Sequence, residues 1–362
     1  MIGYSSLQSK SSSISEFRWH LFLALVFTVA AGEMFFDTYR VVYFGAVSFD
    51  DYSHYLLYLL DEERGRVPPS PHVYRIGSVI LALPFYNLPF VSLSTGSGEV
   101  FLPDSVADAK ALAAMCAANV FYLVLTALLV YAYLLRRVGT NAQWAFIGAA
   151  SVLFLGQFLA LEGNDGISVF PLTVALLLAA EKKWKWFLLT VFLGAFINEK
   201  IIIVTLLIFG LRALAIMSLR SDEAKVTAAL FCLFVGFLVV ITAFPFPGVN
   251  DNQREIGQFI SSALSTLKGS TSVKGLYLNV WPLLVLTACW WIAVTGQAEH
   301  QVLRRTDVLA LLAFFSLIAM LNVQFNIGRL VMYFMPFFVV GCIQALAASD
   351  NSRAATSRDG NE

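Results

Sequence analysis

Apolar residues run along this chain in long windows separated by short polar clusters. A bilayer core is crossed by about 20 mainly apolar residues in helical form. Backbone inside lipid must satisfy its own hydrogen bonds, so such windows predict helices. The windows fall at 19–36, 111–135, 142–161, 167–180, 186–197, 201–217, 226–244, 276–296, 308–322 and 330–347. Only Glu33 interrupts the first, and 111–135 carries no charge. The pattern predicts an all-α, polytopic membrane bundle of about ten full crossings, a single domain over 18–347. Unordered tails are expected over 1–17, which is Ser-rich, and over 348–362. The first apolar run is too long for a cleaved signal and lacks a small-residue cleavage site.

Lys and Arg in short loops set the expected orientation. Arg136-Arg137, Lys182-Lys183-Lys185, Arg212 with Arg220 and Lys225, Arg304-Arg305, and Arg353 with Arg358 recur at alternate ends of the ladder. Placing them in the cytoplasm, with Lys10 and Arg18, puts both termini inside. The segments left outside are 37–75, 162–166, 198–200, 245–275 and 322–329. The stretch 76–94 breaks the alternation, because a full crossing there would turn Arg136-Arg137 outward. Pro84 and Pro89 disfavour a straight helix in it, so a re-entrant or half-crossing segment is expected.

The outward segments hold the candidate chemistry. In 37–75, Tyr52, Tyr55, Leu56, Leu59 and Leu60 fall at helical spacing, predicting an amphipathic helix on the membrane surface. Asp50 and Asp51 would start it. They read either as its cap or as a catalytic base or metal ligand at the bilayer edge. Asp165 occupies a tight turn, Glu162-Gly163-Asn164-Asp165-Gly166, which has ordinary reasons to hold Asn, Asp and Gly. Glu199-Lys200 sits between two apolar runs with no spacer. Ionisable residues at membrane depth point to function, while a local Glu–Lys pair or a snorkelling Lys is the plainer account. Arg329 is a lone cation in its loop, suited either to interfacial anchoring or to a phosphate oxyanion. His54 and His72 share the first loop with the acids, which admits a His–carboxylate metal site, although no HExxH spacing occurs. A second surface helix, with Ile256, Phe259, Ile260, Ala263, Leu264 and Leu267 on one face, is expected within 245–275.

Composition then removes function classes. Hydrophobic residues make up 58% of the 362 and charged ones 13%, where a soluble domain carries roughly 25% charged. Mean hydropathy is +0.73. With 24 basic and 24 acidic residues the net charge is zero, so no nucleic-acid footprint exists. Four Cys, each within an apolar run, are expected as small core residues rather than a disulfide framework. The 31 Phe, 13 Tyr and 7 Trp suit contact with acyl chains and headgroups. Walker, Rossmann and GxSxG motifs do not occur.

The layout resembles the GT-C membrane glycosyltransferases, which use polyprenyl-phosphate-linked sugars. The resemblance rests on Asp51 with Tyr55 in the first outward loop, a Pro/Arg element at 71–75, and the basic pair Arg136-Arg137. Asp165 at the outer end of a span pair, Glu199-Lys200 in the next outward turn, and Arg329 ahead of Pro336 in the last span complete it. A large soluble C-terminal domain of the kind some members carry is not expected here, and Asp50 beside Asp51 leaves the equivalent acid ambiguous, with Asp51 favoured by its spacing to Tyr55.

The resemblance implies a glycosyltransferase moving a sugar from a lipid-linked donor to a glycan or lipid acceptor hydroxyl. Its setting would be the extracytoplasmic face of a plasma or bacterial inner membrane. Asp51, with Asp50 as substitute, would take the acceptor proton. Arg75, Lys200 and Arg329 would meet the leaving phosphate. Asp165 and Glu199 would hold sugar hydroxyls, a neighbouring cation or a divalent cation, and Tyr55 and His54 would contact substrate. No other cofactor is implied. A polymerase of lipid-linked repeats would use the same face, usually with larger Arg-rich loops. A transporter or lipid flippase would favour broken helices and charges near the midplane.

Overall fold

The structure, a computed structural model, describes residues 18–20, 22–35, 50–62, 65–67, 74–88, 106–160, 164–217, 221–243, 256–296, 302–320 and 327–359. Every regular element within them is helical. Helix α1 spans Arg18–Phe35. Helix α2 is Asp50–Leu59, α3 is Ile76–Ala82 continued by a 3-10 turn over Leu83–Phe85, and α4 is Val106–Tyr133, closing in a π turn over Leu134–Val138. Helices α5 (Ala142–Ala160), α6 (Asp165–Ala180), α7 (Trp184–Ala195), α8 (Lys200–Ile216) and α9 (Asp222–Ala243) follow. Then come α10 (Ile256–Ser270) and the short α11 (Val273–Gly275), which leads through a π turn, Leu276–Val280, into α12 (Trp281–Thr295). Helix α13 is Asp307–Met320. Helix α14 (Ile327–Val331) passes through a 3-10 turn, Met332–Phe334, into α15 (Met335–Asp359).

Among the described residues five helices are long and apolar enough to cross a membrane: Arg18–Phe35, Ala107–Val138, Asp222–Ala243, Leu276–Thr295 and Ile327–Asp350. The protein is a helical membrane protein on this ground. Shorter apolar helices fill much of the remaining ladder. The 12 residues of α7 rise about 18 Å, well short of a hydrocarbon core about 30 Å thick. The expected 186–197 window therefore lacks the length of a full crossing. The segment 76–94 is helical over Ile76–Phe85, about 15 Å of rise. Pro84 falls at the start of its 3-10 turn, where a missing N–H costs no helical bond.

Packing sorts the helices into inner and outer ones. Over Ile327–Asp350 the α14–α15 segment is largely buried, as a stretch that is apolar on all sides must be. It lies against α12 and α5, while α4 packs on α5 and α6, and α8 on α9 and α13. Outer helices turn large apolar side chains outward: Phe231 and Val239 on α9, Leu284 and Trp291 on α12. With lipid as solvent such exposure needs no partner protein.

Helix α2 departs from its expected place. Tyr52, Tyr55, Leu56 and Leu57 are buried, not lipid-facing, in a satellite apolar cluster with Val79, Met115 and Ile167. The periodicity is amphipathic, but α3, α4 and α6 supply the apolar surface that it covers. Helix α10 keeps the expected pattern, with Ile260, Leu264 and Leu267 exposed. The stretch from 348, expected as an unordered tail, is helical through Asp359 because it continues α15. Cys116 and Cys342 are buried and Cys289 half-buried, whereas Cys232 is exposed on α9, contrary to the core role expected of it. Lys10, Pro71, His72, Pro89, Phe259 and Arg220 belong to stretches or side chains outside the described set.

Candidate functional site

Two asparagines fix the framework. Asn119, inside α4, accepts the backbone N–H of Ile167 at 3.0 Å. Asn279, in the π turn before α12, accepts that of Ile327 at 2.8 Å. Each caps the first turn of a distant helix, 48 residues ahead in both cases. A helix start leaves orphan N–H groups that cannot remain unpaired in an apolar interior. Both contacts demand close backbone approach, and both use glycine. A Cβ on Gly166 would lie 2.6 Å from the Asn119 carbonyl oxygen, and one on Gly328 would collide with the Leu278 carbonyl. These devices aim Asp165 and Arg329 at each other: Arg329 Nε lies 3.4 Å from Asp165 Oδ2.

The α7–α8 turn enters the same space. Lys200 Nζ donates to Asp165 Oδ1 at 3.3 Å and lies 5.3 Å from the centre of the Tyr333 ring. The Tyr333 hydroxyl donates to the same Asp165 oxygen through a short contact. Asn198 Nδ2 donates to the Tyr333 hydroxyl at 3.1 Å and to Asn164 Oδ1 at 3.2 Å. Asn164 in turn donates to the Ile197 carbonyl at 2.8 Å. Helix α3 docks on this turn through Gly77, whose N–H donates to the Phe196 carbonyl at 3.0 Å. That contact sets Arg75 against Glu199. Arg75 Nε donates to Glu199 Oε2 at 2.7 Å, and Nη2 reaches the other carboxylate oxygen, a bidentate pair. Arg75 Nη1 donates to the Tyr52 hydroxyl of α2 at 2.8 Å.

Five of the residues singled out from sequence therefore meet: Arg75, Asp165, Glu199, Lys200 and Arg329. Their pairing is not the local one. Glu199 and Lys200 turn to different partners, Arg75 and Asp165, 124 and 35 residues away. Arg329, alone in its loop, is paired through space with Asp165. Three cations face two carboxylates, leaving an excess positive charge among these described side chains. Asp165 Oδ2 is buried and accepts no hydrogen bond from a described residue.

Burial, then the opposing pull of Arg75, sets the state of two groups outside the spanning segments. Burial pushes the Tyr52 hydroxyl up to about 12 against that pull, so it stays protonated. Burial also works against ionised Glu199, but the charge and hydrogen bonds of Arg75 hold its carboxyl below the usual carboxylate range.

Other expectations fall elsewhere. Tyr55 is buried in the satellite cluster with its ring 6.3 Å from that of Tyr58, and it is Tyr52 that reaches Arg75. His54 is half-buried, and its carbonyl accepts the Arg66 N–H at 3.2 Å. Asp50 and Asp51 form the first turn of α2, and their side chains lie outside the described set. No group of three His, Cys, Asp or Glu able to hold a metal occurs among the described residues. A divalent ion on Asp165 would have to displace Lys200 or Arg329. Sequence reading does not single out Tyr52, Asn164, Asn198, Tyr333 or the capping asparagines as site residues. For Asn119 and Asn279 the signal is a lone amide inside an apolar window, and for Tyr333 it is an aromatic hydroxyl four residues after Arg329.

The other end of the bundle has its own polar group. Arg212, read from sequence as a loop cation, is buried and bidentate to Asp307, with Nε at 2.8 Å. Arg137, Lys182, Arg212 and Arg304 all border one cavity there. The basic clusters of alternate loops thus share an end, and the Asp165 network lies at the other.

No protein-family model matches the chain, and no curated protein and no solved structure matches it either.

Proposed function

We propose that the chain is a GT-C-type glycosyltransferase that takes a sugar from a polyprenyl-phosphate donor at the extracytoplasmic face of a cell membrane. The observation that carries this reading is the convergence of Arg75, Lys200 and Arg329 on one end of the bundle with only Asp165 and Glu199 to balance them. Such an excess suits a lipid-linked phosphate that gains negative charge as its sugar departs. The carboxylates hold the cations in place before substrate arrives, which lowers the reorganisation needed during reaction.

The remaining roles follow from position. Asp165 Oδ2 offers a buried acceptor to a sugar hydroxyl. Asp51 directly precedes Tyr52 in α2, and the Tyr52 hydroxyl is bonded to Arg75, which brings the start of this helix to the network. Asp51 is the base for the acceptor hydroxyl, with Asp50 as its substitute. The basic cavity end faces the cytoplasm under the positive-inside rule, which sets the Asp165 end outside. The two acids and the cations thus act on one headgroup-level site, while the donor's tail stays in lipid.

The experiment is transfer from a radiolabelled polyprenyl-phosphate sugar by membranes holding equal amounts of wild-type, Asp51→Asn and Lys200→Gln protein. Loss of transfer in both variants is expected. Full transfer by Lys200→Gln sinks the phosphate role, and full transfer by Asp51→Asn sinks the base. Movement of labelled lipid across proteoliposomes without any transfer would instead favour a flippase.

A further inference from the structure

A second polar chamber lies at the end of the bundle away from Asp165. Helix α6 begins at Asp165 and ends at Ala180, beside this chamber, about 24 Å along a 16-residue helix. Helix α8 runs the same way from Lys200 to Arg212, about 18 Å. The chamber is therefore separate from the site described above. Its volume is about 1000 Å³, at the upper end of small-molecule pockets.

Its lining mixes charges of both signs with aromatic walls. Arg137, Lys182, Arg212 and Arg304 border it with Glu181, Asp222 and Glu223, and Asp307 behind Arg212 brings the charges to four of each sign. Arg212 is the fixed one. It is more than nine-tenths buried, its Nε and Nη2 are held by Asp307 and the Val302 carbonyl, and its guanidinium lies 5.5 Å from the centre of the Phe209 ring. Arg137 is 3.6 Å from Glu181 and Arg304 is 2.8 Å from Glu223, with both arginine side chains about half exposed and both carboxylates largely buried. Trp184 and Phe209, packed edge to face at 5.9 Å, supply a wall for an apolar or planar part.

One anchored guanidinium with two half-exposed arginines and a lysine around it matches a tetrahedral, multiply charged oxyanion. We propose that this chamber is a second ligand site, for a phosphate-bearing anion, with Arg212 as its floor and Arg137, Lys182 and Arg304 as its rim. The source is either the headgroup of an anionic phospholipid in the adjoining leaflet or a soluble phosphate compound. The inference stands on this cavity alone and is independent of sugar transfer.

The test titrates the purified full chain at fixed ionic strength with inorganic pyrophosphate, and in parallel with phosphatidylglycerol against phosphatidylcholine in nanodiscs. The readout is the thermal unfolding midpoint. At least one anionic probe is expected to raise the midpoint saturably by several degrees when present at about 100 times its Kd. In Arg137→Gln/Lys182→Gln the half-saturating concentration should rise by about tenfold or more. Both side chains are on the rim, so the unliganded midpoint should hold, and Arg304→Gln serves as a second rim variant if it does not. Arg329→Gln, at the other end, should leave the titration unchanged. Response to pyrophosphate identifies a soluble ligand, and response to phosphatidylglycerol alone identifies a lipid. No saturable response to either probe, equal titration of wild type and both rim variants, or weakening by Arg329→Gln instead, overturns the proposal.

Discussion

Arg75 Nε and Glu199 Oε2 stand 2.7 Å apart across a sequence separation of 124 residues, both on side chains that are largely buried. A buried pair of this kind stabilises little over an apolar pair of equal shape, but removal of one member leaves the other charge stranded. Glu199→Leu and Arg75→Met should each destabilise the protein by about 3–5 kcal/mol, and the double variant should regain most of that loss. Thermal unfolding in detergent measures all three. The double variant should fold and still fail to transfer sugar. Active double-variant protein would show that the pair is architectural only.

The pair also makes stability depend on acid. The Glu199 carboxyl titrates lower in the folded chain than in the unfolded one. Its contribution is therefore fully present above the ordinary carboxylate value, about 4.3, and is lost as pH falls through the folded value. Unfolding midpoints followed downward from pH 6 should decline more steeply for wild type than for Glu199→Gln. Parallel curves would contradict the assigned direction.

Arg329 tests geometry against charge. Its Nε faces Asp165 Oδ2 at 3.4 Å, and its planar fork can present parallel N–H groups to a phosphate, where an ammonium acts as a point charge. Arg329→Gln should reduce kcat for transfer by about 100-fold or more, the scale of losing one donor to a developing oxyanion. Arg329→Lys should recover part of the rate. Equal rates in the lysine and glutamine variants would remove the charge from the explanation.

Asn119 and Asn279 lie within apolar helices yet hold the first turns of α6 and α14. Replacement of either by Ala strands a buried backbone N–H and should cost about 1–3 kcal/mol. The effect on transfer should exceed what reduced abundance explains, because Asp165 and Arg329 lose their aim. Unfolding midpoints and per-molecule transfer rates separate the two losses.

The apolar windows alone make the helices at 142–160, 222–243 and 276–295 legible, since run length against bilayer thickness is a local property. The same is true of where charge breaks a window, which is why Asp165, Glu199, Lys200 and Arg329 stand out. Partners are not legible in this way. Nothing in Glu199-Lys200 says that the two neighbours bond to Arg75 and Asp165 rather than to each other. Nor does the spacing of Tyr52, Tyr55 and Leu56 reveal that α2 covers other helices and not lipid, because one amphipathic face serves either surface.

Alone, the order of residues determined that this chain is a helical membrane protein whose ionisable groups gather at window ends, because burial of a charge or of unpaired backbone in hydrocarbon is costly wherever it occurs. Only the tertiary structure decided which of those charges meet. That choice depends on helix packing, on two glycines that admit close backbone approach, and on two buried amides that cap helices 48 residues ahead. Electrostatic pairing falls off with distance in space and takes no account of distance along the chain.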